Sequence, residues 1–350
     1  MTVLDAKQLS QKLEDLNKRA KEANLRGAWN RERPAREGDV EPWAWRWGDI
    51  ESCLLEAGNL VPIDDVMRMR TIGLVNPTQQ GMVGTTRTFG VTIQHLGPGE
   101  TTEAHRHTPV SIYFMIRGGS TFTTVEGEQQ HMEAGDLLVQ PTWTWHDSLN
   151  AGDDPAIWLT SMDTSLNDYL GTWFREKYPE GDAQPVTKSD GYHMNRLGMF
   201  QTSAVLESDR SFPVKYPWKD SLAMLRELAE AGEGDPHDGV VLDYRNPLTG
   251  GPTTLTVGCR MQMLRPGQET QSHRHTSNTV YHVVQGEGVA LIGKTKGDEQ
   301  PLTWTERDCF YLPPWHWHRF RNDSSEPAIL FSVSDAPLLE GINLYREAKV

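Results

Sequence analysis

The sequence HRHT occurs at residues 105–108 and again at residues 273–276. Each copy is followed by a tryptophan-rich segment that ends in histidine, TWTWH at residues 142–146 and PWHWH at residues 314–318. The first histidines of the two copies lie 168 residues apart (273 − 105), and the last ones lie 172 residues apart (318 − 146). The chain therefore contains two copies of one fold unit. We expect the longer insert of the second copy in a polar hairpin at residues 294–299.

The histidine spacing indicates a metal site. Side chains alternate across a β-strand, so both histidines of His-x-His lie on one face. The third histidine follows an acidic turn, Gly135-Asp136 in the first copy and Arg307-Asp308 in the second. Three imidazoles from two strands supply half of an octahedral site and leave the other half for water, substrate or dioxygen. The predicted metal ligands are His105, His107 and His146, and a second candidate set is His273, His275 and His318.

Two other interpretations of these histidines remain open. The first set is also compatible with a packed core of histidines and aromatic residues that binds no metal. The second set is compatible with a relic that binds metal poorly. The twelve tryptophans allow two interpretations as well, either walls around a flat ligand or large core residues.

Length and composition restrict the class of protein. A chain of 350 residues is long enough for two domains with a core each. A net charge of −14 argues against binding to nucleic acid or to anionic membranes. The three scattered cysteines do not form a disulfide framework and fit a reducing cytoplasm. We find neither a signal peptide nor an apolar run long enough to span a membrane, so we expect a cytoplasmic protein.

Turn residues every eight to twelve positions predict a mainly β fold of sandwiches or barrels. In the first copy we expect strands at residues 86–94, 110–116, 121–125, 137–140, 143–146 and 156–161. Helices are predicted at residues 4–25 and 218–231 and in the tail at 337–350, an irregular segment at 28–60, and strand at 60–75. The predicted domains are an N-terminal helical and Trp-rich segment (1–84), a first barrel with the metal site (85–165), a connecting segment with one helix (166–250), and a second barrel with the tail (251–350).

The combined motifs resemble a known family. They are PGE at 98–100, HRHT at 105–108, Gly135-Asp136 and WTWHD at 143–147. This pattern is similar to the bicupin gentisate 1,2-dioxygenases, with their salicylate, 5-nitrosalicylate and 1-hydroxy-2-naphthoate ring-cleaving relatives. The resemblance extends over nearly the whole chain, including VNP at 75–77 and PLTGGP at 247–252. It implies two cupin barrels, which are double-stranded β-helices of the jelly-roll type, with peripheral helices. It also implies a homotetramer in aromatic-compound catabolism.

The resemblance implies non-haem Fe(II) on the first histidine set. It also implies that Gln94 lies against the aromatic substrate and that Arg68 or Arg70 binds the carboxylate, although both arginines are also compatible with surface charges. Asp147, beside His146, is predicted to orient a ligand imidazole. The chain departs from the family pattern at three positions, with Tyr113 in place of Arg, Ser148 in place of His, and Thr160 in place of Asp. The predicted substrate-binding residues are Arg68, Arg70, Gln94, Tyr113, Ser148, Trp158 and Thr160.

These departures indicate an unchanged iron centre in a remodelled pocket. A 2-hydroxybenzoate can chelate Fe(II) through its carboxylate and ortho hydroxyl, which leaves one position for dioxygen. We therefore predict cleavage of the C1–C2 bond of a substituted salicylate, such as 5-nitrosalicylate or a halosalicylate. Gentisate itself is the alternative substrate. A metal-dependent bicupin isomerase or decarboxylase, or a binding protein, is the alternative of another class.

Overall fold

The computed structural model describes residues 6–22, 40–61, 63, 70–79, 84–194 and 213–350. The chain divides into two compact units, Met1–Val40 and Glu41–Val350. The first unit contains helix α1 (Ala6–Glu22), which coincides with the central part of the helix predicted at residues 4–25. The other residues of that prediction lie outside the described residues. Every helix in the described ranges is too short or too polar to cross a membrane.

The second unit consists mainly of short antiparallel strands. Before residue 195 they are β1 (Trp43–Trp45), β2 (Arg70–Gly73), β3 (Gly90–Leu96), β4 (His105–His107), β5 (Ser111–Arg117), β6 (Thr121–Val125), β7 (Glu128–Met132), β8 (Leu137–Gln140), β9 (His146–Asn150), β10 (Ala156–Met162) and β11 (Arg175–Lys177). After residue 212 they are β12 (Val214–Tyr216), β13 (Val240–Asp243), β14 (Gly258–Leu264), β15 (His273–His275), β16 (Thr279–Gln285), β17 (Gly288–Gly293), β18 (Gln300–Trp304), β19 (Cys309–Leu312), β20 (Trp317–Arg321), β21 (Ala328–Ser334) and β22 (Glu347–Lys349). The helices of this unit are α2 (Trp47–Leu60), α3 (Thr164–Leu170), α4 (Trp218–Glu230) and α5 (Ala336–Gly341).

These strands form two barrels, each with a six-stranded and a five-stranded sheet. The first barrel has the strand orders β12-β8-β5-β10-β3-β2 and β11-β4-β9-β6-β7. The second has β1-β19-β16-β21-β14-β13 and β18-β17-β20-β15-β22. The predicted mainly β fold of two barrels is confirmed. The extra residues of the second copy lie in the β17–β18 turn, as predicted, because the equivalent β6–β7 turn has only Glu126 and Gly127 between its strands.

The barrels exchange edge strands. β1 precedes the first barrel in the chain but pairs with β19 of the second, with Trp43 opposite Tyr311. β12 precedes the second barrel but pairs with β8 of the first, with Val214 opposite Val139. The connecting segment at residues 166–250 therefore contributes β11, β12 and β13 to the sheets, in addition to the predicted helix α4. The domain boundaries set from the sequence remain a prediction.

The acidic turns join the exchanged segments to the barrels. Asp308 of the second barrel accepts a hydrogen bond from the backbone N–H of Trp47 at 2.8 Å, and Asp136 of the first accepts one from Trp218 at 2.8 Å. Trp47 and Trp218 begin α2 and α4, whose first N–H groups lack partners within the helix. A carboxylate at this end also interacts favourably with the helix dipole.

Some local predictions were wrong. The segment at residues 28–60, predicted to be irregular, forms β1 and α2 in its described part. Ile50 and Leu54, four residues apart, are the buried residues of α2, a helical spacing that the neighbouring tryptophans obscure. The predicted strand at 60–75 is observed at β2, and residues 62 and 64–69 of that range lie outside the described residues. The predicted strand at 143–146 is a turn until β9 begins at His146, and in the tail α5 is followed by the strand β22.

The outer faces of the two large sheets pack against each other. Phe114 on β5 stacks on Phe331 on β21 with ring centroids 4.2 Å apart. The contact is bordered by two buried carboxylates, each of which accepts a threonine hydroxyl from the other barrel at 2.7 Å, in the pairs Thr256–Asp163 and Thr88–Asp335. Burial raises the pKa of both carboxyl groups. These contacts cover the outer faces of the large sheets, so we expect ligands to bind inside the barrels.

Candidate metal centre and substrate pocket

The structure brings His105, His107 and His146 together. His105 on β4 lies directly opposite His146 on β9, and His107 lies two residues further along the same face of β4. The ring centroids are 4.4 to 5.3 Å apart, and one ring nitrogen of each histidine lies within 4.8 Å of the others. All three side chains are buried. This convergence is the arrangement that the sequence spacing predicts.

Backbone carbonyls orient the three rings. Nδ1 of His105 lies 2.6 Å from the Glu103 carbonyl oxygen, Nδ1 of His107 lies 2.7 Å from that of Pro109, and Nδ1 of His146 lies 2.9 Å from that of Thr144. A carbonyl oxygen only accepts, so each Nδ1 carries the proton and each Nε2 presents a lone pair. The same arrangement fixes the ring orientation of histidines that bind metals.

The electrostatics of the triad suit a cation. Burial lowers the pKa of His105 and of His107 to about 4, and burial also lowers the pKa of His146 well below its usual value. The rings are therefore uncharged at neutral pH, and each can donate a lone pair to a metal ion. Nε2 of His146 is buried and has no hydrogen-bond partner among the described residues. A buried polar atom without a partner is costly, and a bound metal ion would provide one. The residues present therefore fit a metal ion.

Asp147 does not have the predicted contact with a ligand ring. It alternates with His146 along β9 and so points to the other face of the sheet. Its Oδ2 accepts hydrogen bonds from the backbone N–H and the side-chain amide of Gln184, at 2.9 and 3.2 Å. The orienting role that we predicted for this carboxylate belongs to backbone carbonyls, for which the sequence contains no side-chain signal.

Buried polar side chains face the interior of the first barrel. Gln94 and Thr160 share the inner face of the six-stranded sheet with the core residues Leu96 and Trp158. Nε2 of Gln94, Nε1 of Trp158 and Oγ1 of Thr160 are buried without a hydrogen-bond partner in the described part of the chain. Several orphaned polar atoms in one interior are unusual for a core and typical of a ligand pocket.

Tyr113 and Ser148 also face this interior. The ring of Tyr113 lies 5.6 Å from that of Trp158, and burial raises the pKa of its hydroxyl. Ser148, two residues after His146, donates to the hydroxyl of Thr123 at 3.4 Å, and that hydroxyl also accepts a hydrogen bond from Gln140 at 3.0 Å. This network joins the two sheets and places Ser148 on the face that carries His146.

Arg70 does not reach the triad. It lies opposite His95 at the start of β2, and His95 alternates with Gln94, so both face outward. Its guanidinium forms an ion pair with Glu100, with Nη2 2.8 Å from Oε1, and Nε donates to the Val61 carbonyl at 2.7 Å. These partners use the donors that a substrate carboxylate would need. Arg68, the other predicted arginine, lies outside the described residues.

The second triad repeats the geometry of the first. His273 on β15 lies opposite His318 on β20, and His275 completes the set with ring nitrogens within 4.8 Å. Nδ1 of His318 lies 3.0 Å from the His316 carbonyl oxygen, and Nδ1 of His275 lies 2.8 Å from the Ser277 hydroxyl. Burial lowers the pKa of His273 to about 2 and also lowers those of His275 and His318. These rings are neutral donors as well.

Comparisons with known proteins agree with the two-barrel fold. The cupin domain model matches residues 92–162 and 260–334. The chain is 36% identical to a 5-aminosalicylate 1,2-dioxygenase of Comamonas sp., over 87% of this chain and 81% of that protein. It is 36% identical to a 1-hydroxy-2-naphthoate 1,2-dioxygenase of Nocardioides sp., over 96% of this chain and 87% of that protein. The salicylate 1,2-dioxygenase of Pseudoaminobacter salicylatoxidans, solved as adducts with gentisate, superposes with a TM-score of 0.85 at 26% identity, covering 100% and 96% of the two chains.

The chain belongs to the bicupin gentisate and salicylate 1,2-dioxygenase family. It is accordingly an enzyme of the ring-cleaving dioxygenase type. The family assignment supports a metal in a histidine triad, and the burial and orientation of the donors described above agree with it.

In this bicupin dioxygenase each His-x-His strand carries an arginine between two tryptophan rings. The guanidinium of Arg106 lies 4.5 Å from the ring centroids of both Trp143 and Trp145. Trp143 has a left-handed backbone (φ +60°), which is unusual for a bulky residue, and its N–H donates to the His107 carbonyl at 2.8 Å. The cation–π stacks thus join the strand with the first two histidines to the turn that delivers the third. The tryptophans of this motif contact an arginine and do not form the walls of a ligand site.

Replacing Arg106 with methionine is expected to weaken metal binding at the first triad roughly tenfold and to lower the free energy of unfolding by about 1 to 2 kcal/mol. The substitution removes both cation–π stacks and the ion pair with Glu176, in which Nε lies 2.8 Å from the carboxylate. The strained turn before His146 would then lose its outer contact. Titration with Co(II), followed by absorbance, and urea unfolding measure the two effects.

Arg274 provides the matched control, because it stacks on Trp315 and Trp317 at 4.2 and 4.5 Å in the second barrel. Arg274→Met is expected to leave Co(II) affinity at the first triad unchanged. If Arg106→Met bound Co(II) at that triad as tightly as the wild type, the stacked arginine would have no part in holding the ligands.

Proposed function

We propose that the first barrel binds Fe(II) on His105, His107 and His146 and cleaves the C1–C2 bond of a substituted salicylate with dioxygen. One observation carries the proposal: three neutral, buried imidazoles point their Nε2 atoms into an interior where other polar atoms also lack partners in the part of the chain that the structure describes. When bound, Fe(II) supplies Lewis acidity and a path for electrons between the ring and dioxygen. Three histidine ligands leave room for a bidentate substrate and dioxygen.

The side chains of the pocket would bind and orient the substrate. Nε2 of Gln94 and Nε1 of Trp158 are donors, so they suit phenolate, carboxylate or nitro oxygens. The Trp158 and Tyr113 rings offer apolar surface to the aromatic ring. The family resemblance implies Arg68 or Arg70 for the substrate carboxylate, and we assign it to Arg68 because the guanidinium of Arg70 is already paired with Glu100.

The proposed ring substituent is nitro or halogen at carbon 5. Thr160 borders a cavity of about 120 Å³ whose lining, among the described residues, has no charged side chain. Thr160, Ser148 and Tyr113 replace the charged or basic residues that the resemblance implies at these positions. These replacements remove charged groups that could bind a 5-hydroxyl or 5-amino group, and the neutral lining of the cavity provides no substitute for them.

Oxygen uptake tests the proposal directly. The protein is reconstituted anaerobically with Fe(II) and given salicylate, 5-chlorosalicylate, 5-nitrosalicylate, 5-aminosalicylate, gentisate or 1-hydroxy-2-naphthoate. We expect the fastest uptake with a 5-nitro or 5-halo salicylate and little with gentisate. Fast uptake with gentisate alone would contradict the proposed substituent. No oxygen uptake by the iron-loaded protein with any of these acids would contradict the proposal and favour an isomerase, a decarboxylase or a binding protein, none of which consumes dioxygen.

Restoring the family residues should change the preference among substrates. The double variant Ser148→His, Thr160→Asp is expected to raise kcat/KM for gentisate relative to 5-nitrosalicylate about tenfold, because hydrogen bonds to charged groups contribute roughly 1.5 to 3 kcal/mol. Steady-state oxygen uptake with the two acids measures the ratio. Ser332→Asp is the matched control, since Ser332 pairs with Tyr281 in the second barrel as Thr160 pairs with Tyr113 in the first. If the control changed the ratio equally, the effect would not arise in the pocket.

The proposal also includes a homotetramer in the cytoplasm and the domain boundaries set from the sequence. The family resemblance supports the tetramer, and the scattered cysteines support a reducing compartment. Sedimentation equilibrium of the purified protein tests the subunit number.

A further inference from the structure

We infer that the second barrel holds a divalent cation on His273, His275 and His318, with the Asp238 carboxylate beside it, and that this barrel does not bind the aromatic acid. The two barrels would then differ in task, one cleaving the substrate and the other holding a cation. The inference does not depend on which ring substituent the first barrel accepts.

Asp238 provides a negative charge beside the second triad. Its Oδ1 lies 3.6 Å from Nε2 of His273, and its Oδ2 accepts a hydrogen bond from Arg260 at 3.0 Å. A separation of 3.6 Å is too long for a hydrogen bond. Two donor atoms bound to one ion at right angles, each with a bond of about 2.1 Å, lie roughly 3 Å apart. The observed separation is slightly longer than this distance. The carboxylate is thus placed to compensate part of the charge of a cation on the triad.

The internal repeat reverses the charge at this position. β2 begins at Arg70, which lies opposite His95 on β3, and β13 begins at Val240, which lies opposite Met263 on β14. His95 and Met263 are each the sixth residue of their strand, so Arg70 and Val240 are equivalent positions of the repeat. Two residues before these strands the sequence has Arg68 in the first copy and Asp238 in the second. A basic residue suits an anionic substrate, whereas an acidic residue suits a cation. This difference in sequence supports opposite ligands for the two barrels.

The cavity at the second triad has the electrostatics of a cation site. It encloses about 370 Å³, and its described lining includes five carboxylates but only three cationic side chains. Arg260 cannot serve a substrate carboxylate, because Asp238 and Asp243 already bind it at 3.0 and 2.8 Å. The volume is adequate for a single-ring acid. The excess of carboxylates in the lining, and not the size of the cavity, therefore excludes the anionic acid.

The interior of the second barrel lacks two of the polar groups of the substrate pocket. Phe320 follows His318 by two residues, as Ser148 follows His146, and it is completely buried with its ring 5.9 Å from that of His318. Leu330 lies opposite Gln262 on the neighbouring strand, as Trp158 lies opposite Gln94. Apolar side chains thus replace a hydroxyl and an indole N–H. A hydroxybenzoate in this barrel would lack these two partners for its polar groups.

Titration with Mn(II) tests the cation site. Metal-free protein is titrated with Mn(II) alone, and free Mn(II) is followed by electron paramagnetic resonance. We expect two Mn(II) per wild-type chain. Asp238→Asn should raise the dissociation constant of one site about 10- to 100-fold, the range typical of groups that support metal ligands. Asp238→Arg, which copies the first barrel, should leave one Mn(II) per chain, while the Fe(II)-loaded variant takes up oxygen within about twofold of the wild-type rate.

Asp243→Asn is the matched control, because it also removes a carboxylate partner of Arg260 but leaves Asp238 beside the triad. It should retain two Mn(II) per chain. One Mn(II) per wild-type chain, or unchanged affinity in both Asp238 variants, would overturn the cation site. Two molecules of salicylate bound per chain in anaerobic calorimetry would overturn the exclusion of the acid. Two Mn(II) per chain without oxygen uptake would contradict the proposed function and leave this inference standing.

Discussion

Replacing His146 with alanine is expected to lower oxygen uptake at least about 1,000-fold, whereas His318→Ala in the second barrel should retain most of the activity. His146 lies opposite His105 and supplies the buried Nε2 that lacks a partner in the described structure. Without this imidazole only two histidine ligands remain and the site has a gap. We therefore expect weaker metal binding and a poorly oriented substrate.

The pair is informative because the two histidines occupy the same register in the two barrels, with His318 opposite His273. Circular dichroism confirms that each variant is folded, and metal analysis after Fe(II) loading counts the remaining ions. Rates are compared per folded chain with the fastest acid of the panel. A His318→Ala protein as inactive as His146→Ala would show that both barrels participate in ring cleavage, contrary to the proposal.

Replacing Gln94 with leucine is expected to separate activity from stability. We expect kcat/KM to fall about 10- to 100-fold, because a donor to an anionic substrate contributes roughly 1.5 to 3 kcal/mol. The free energy of unfolding should stay unchanged or rise, since Nε2 of Gln94 lacks a partner among the residues described. Replacing an unsatisfied buried amide with an apolar side chain removes a desolvation cost.

Gln262→Leu should have the opposite effect. Gln262 lies in the second barrel opposite Leu330, at the position that Gln94 has opposite Trp158. Its Nε2 donates to the Asp238 backbone carbonyl at 2.6 Å. Losing this bond should lower the free energy of unfolding by about 1 to 3 kcal/mol, with oxygen uptake unchanged. Urea unfolding measures the free energy of unfolding of each variant, and steady-state kinetics measure kcat/KM for each. Equal losses of stability in the two variants would mean that Gln94 is an ordinary core residue.

The two-barrel fold and the histidine sets could be predicted from the sequence because their signals are local. Strand alternation places both histidines of His-x-His on one face, and the repeat of HRHT shows the duplication. The strand at Thr121–Val125 and the helix from Trp218 were predicted for the same reason, since each has its own period and its own turn residues. These features require no knowledge of distant contacts.

Partners that are distant in the chain were decided by the tertiary structure. Arg70 is paired with Glu100 and Asp147 with Gln184, and a charge in a sequence does not identify its partner. Asp147 alternates with His146, and Arg70 lies opposite His95, which alternates with Gln94. The direction of both side chains therefore depends on the strand register, which contacts between strands determine. The exchange of β1 and β12 between the barrels likewise depends on pairing across more than 70 residues of chain, since β8 ends at Gln140 and β12 begins at Val214.

The sequence by itself therefore determined the duplicated barrels, and it predicted the two histidine triads as metal sites and a pocket changed at Tyr113, Ser148 and Thr160. Only the tertiary structure decided how the imidazoles are oriented, because their Nδ1 atoms bind backbone carbonyls, which every residue has. It also decided which buried polar atoms lack partners among the described residues, Nε2 of Gln94 in the first barrel but not Nε2 of Gln262 in the second. The physical reason is that alternation and repeats are properties of the chain, whereas satisfaction of a hydrogen bond is a property of the space around each atom.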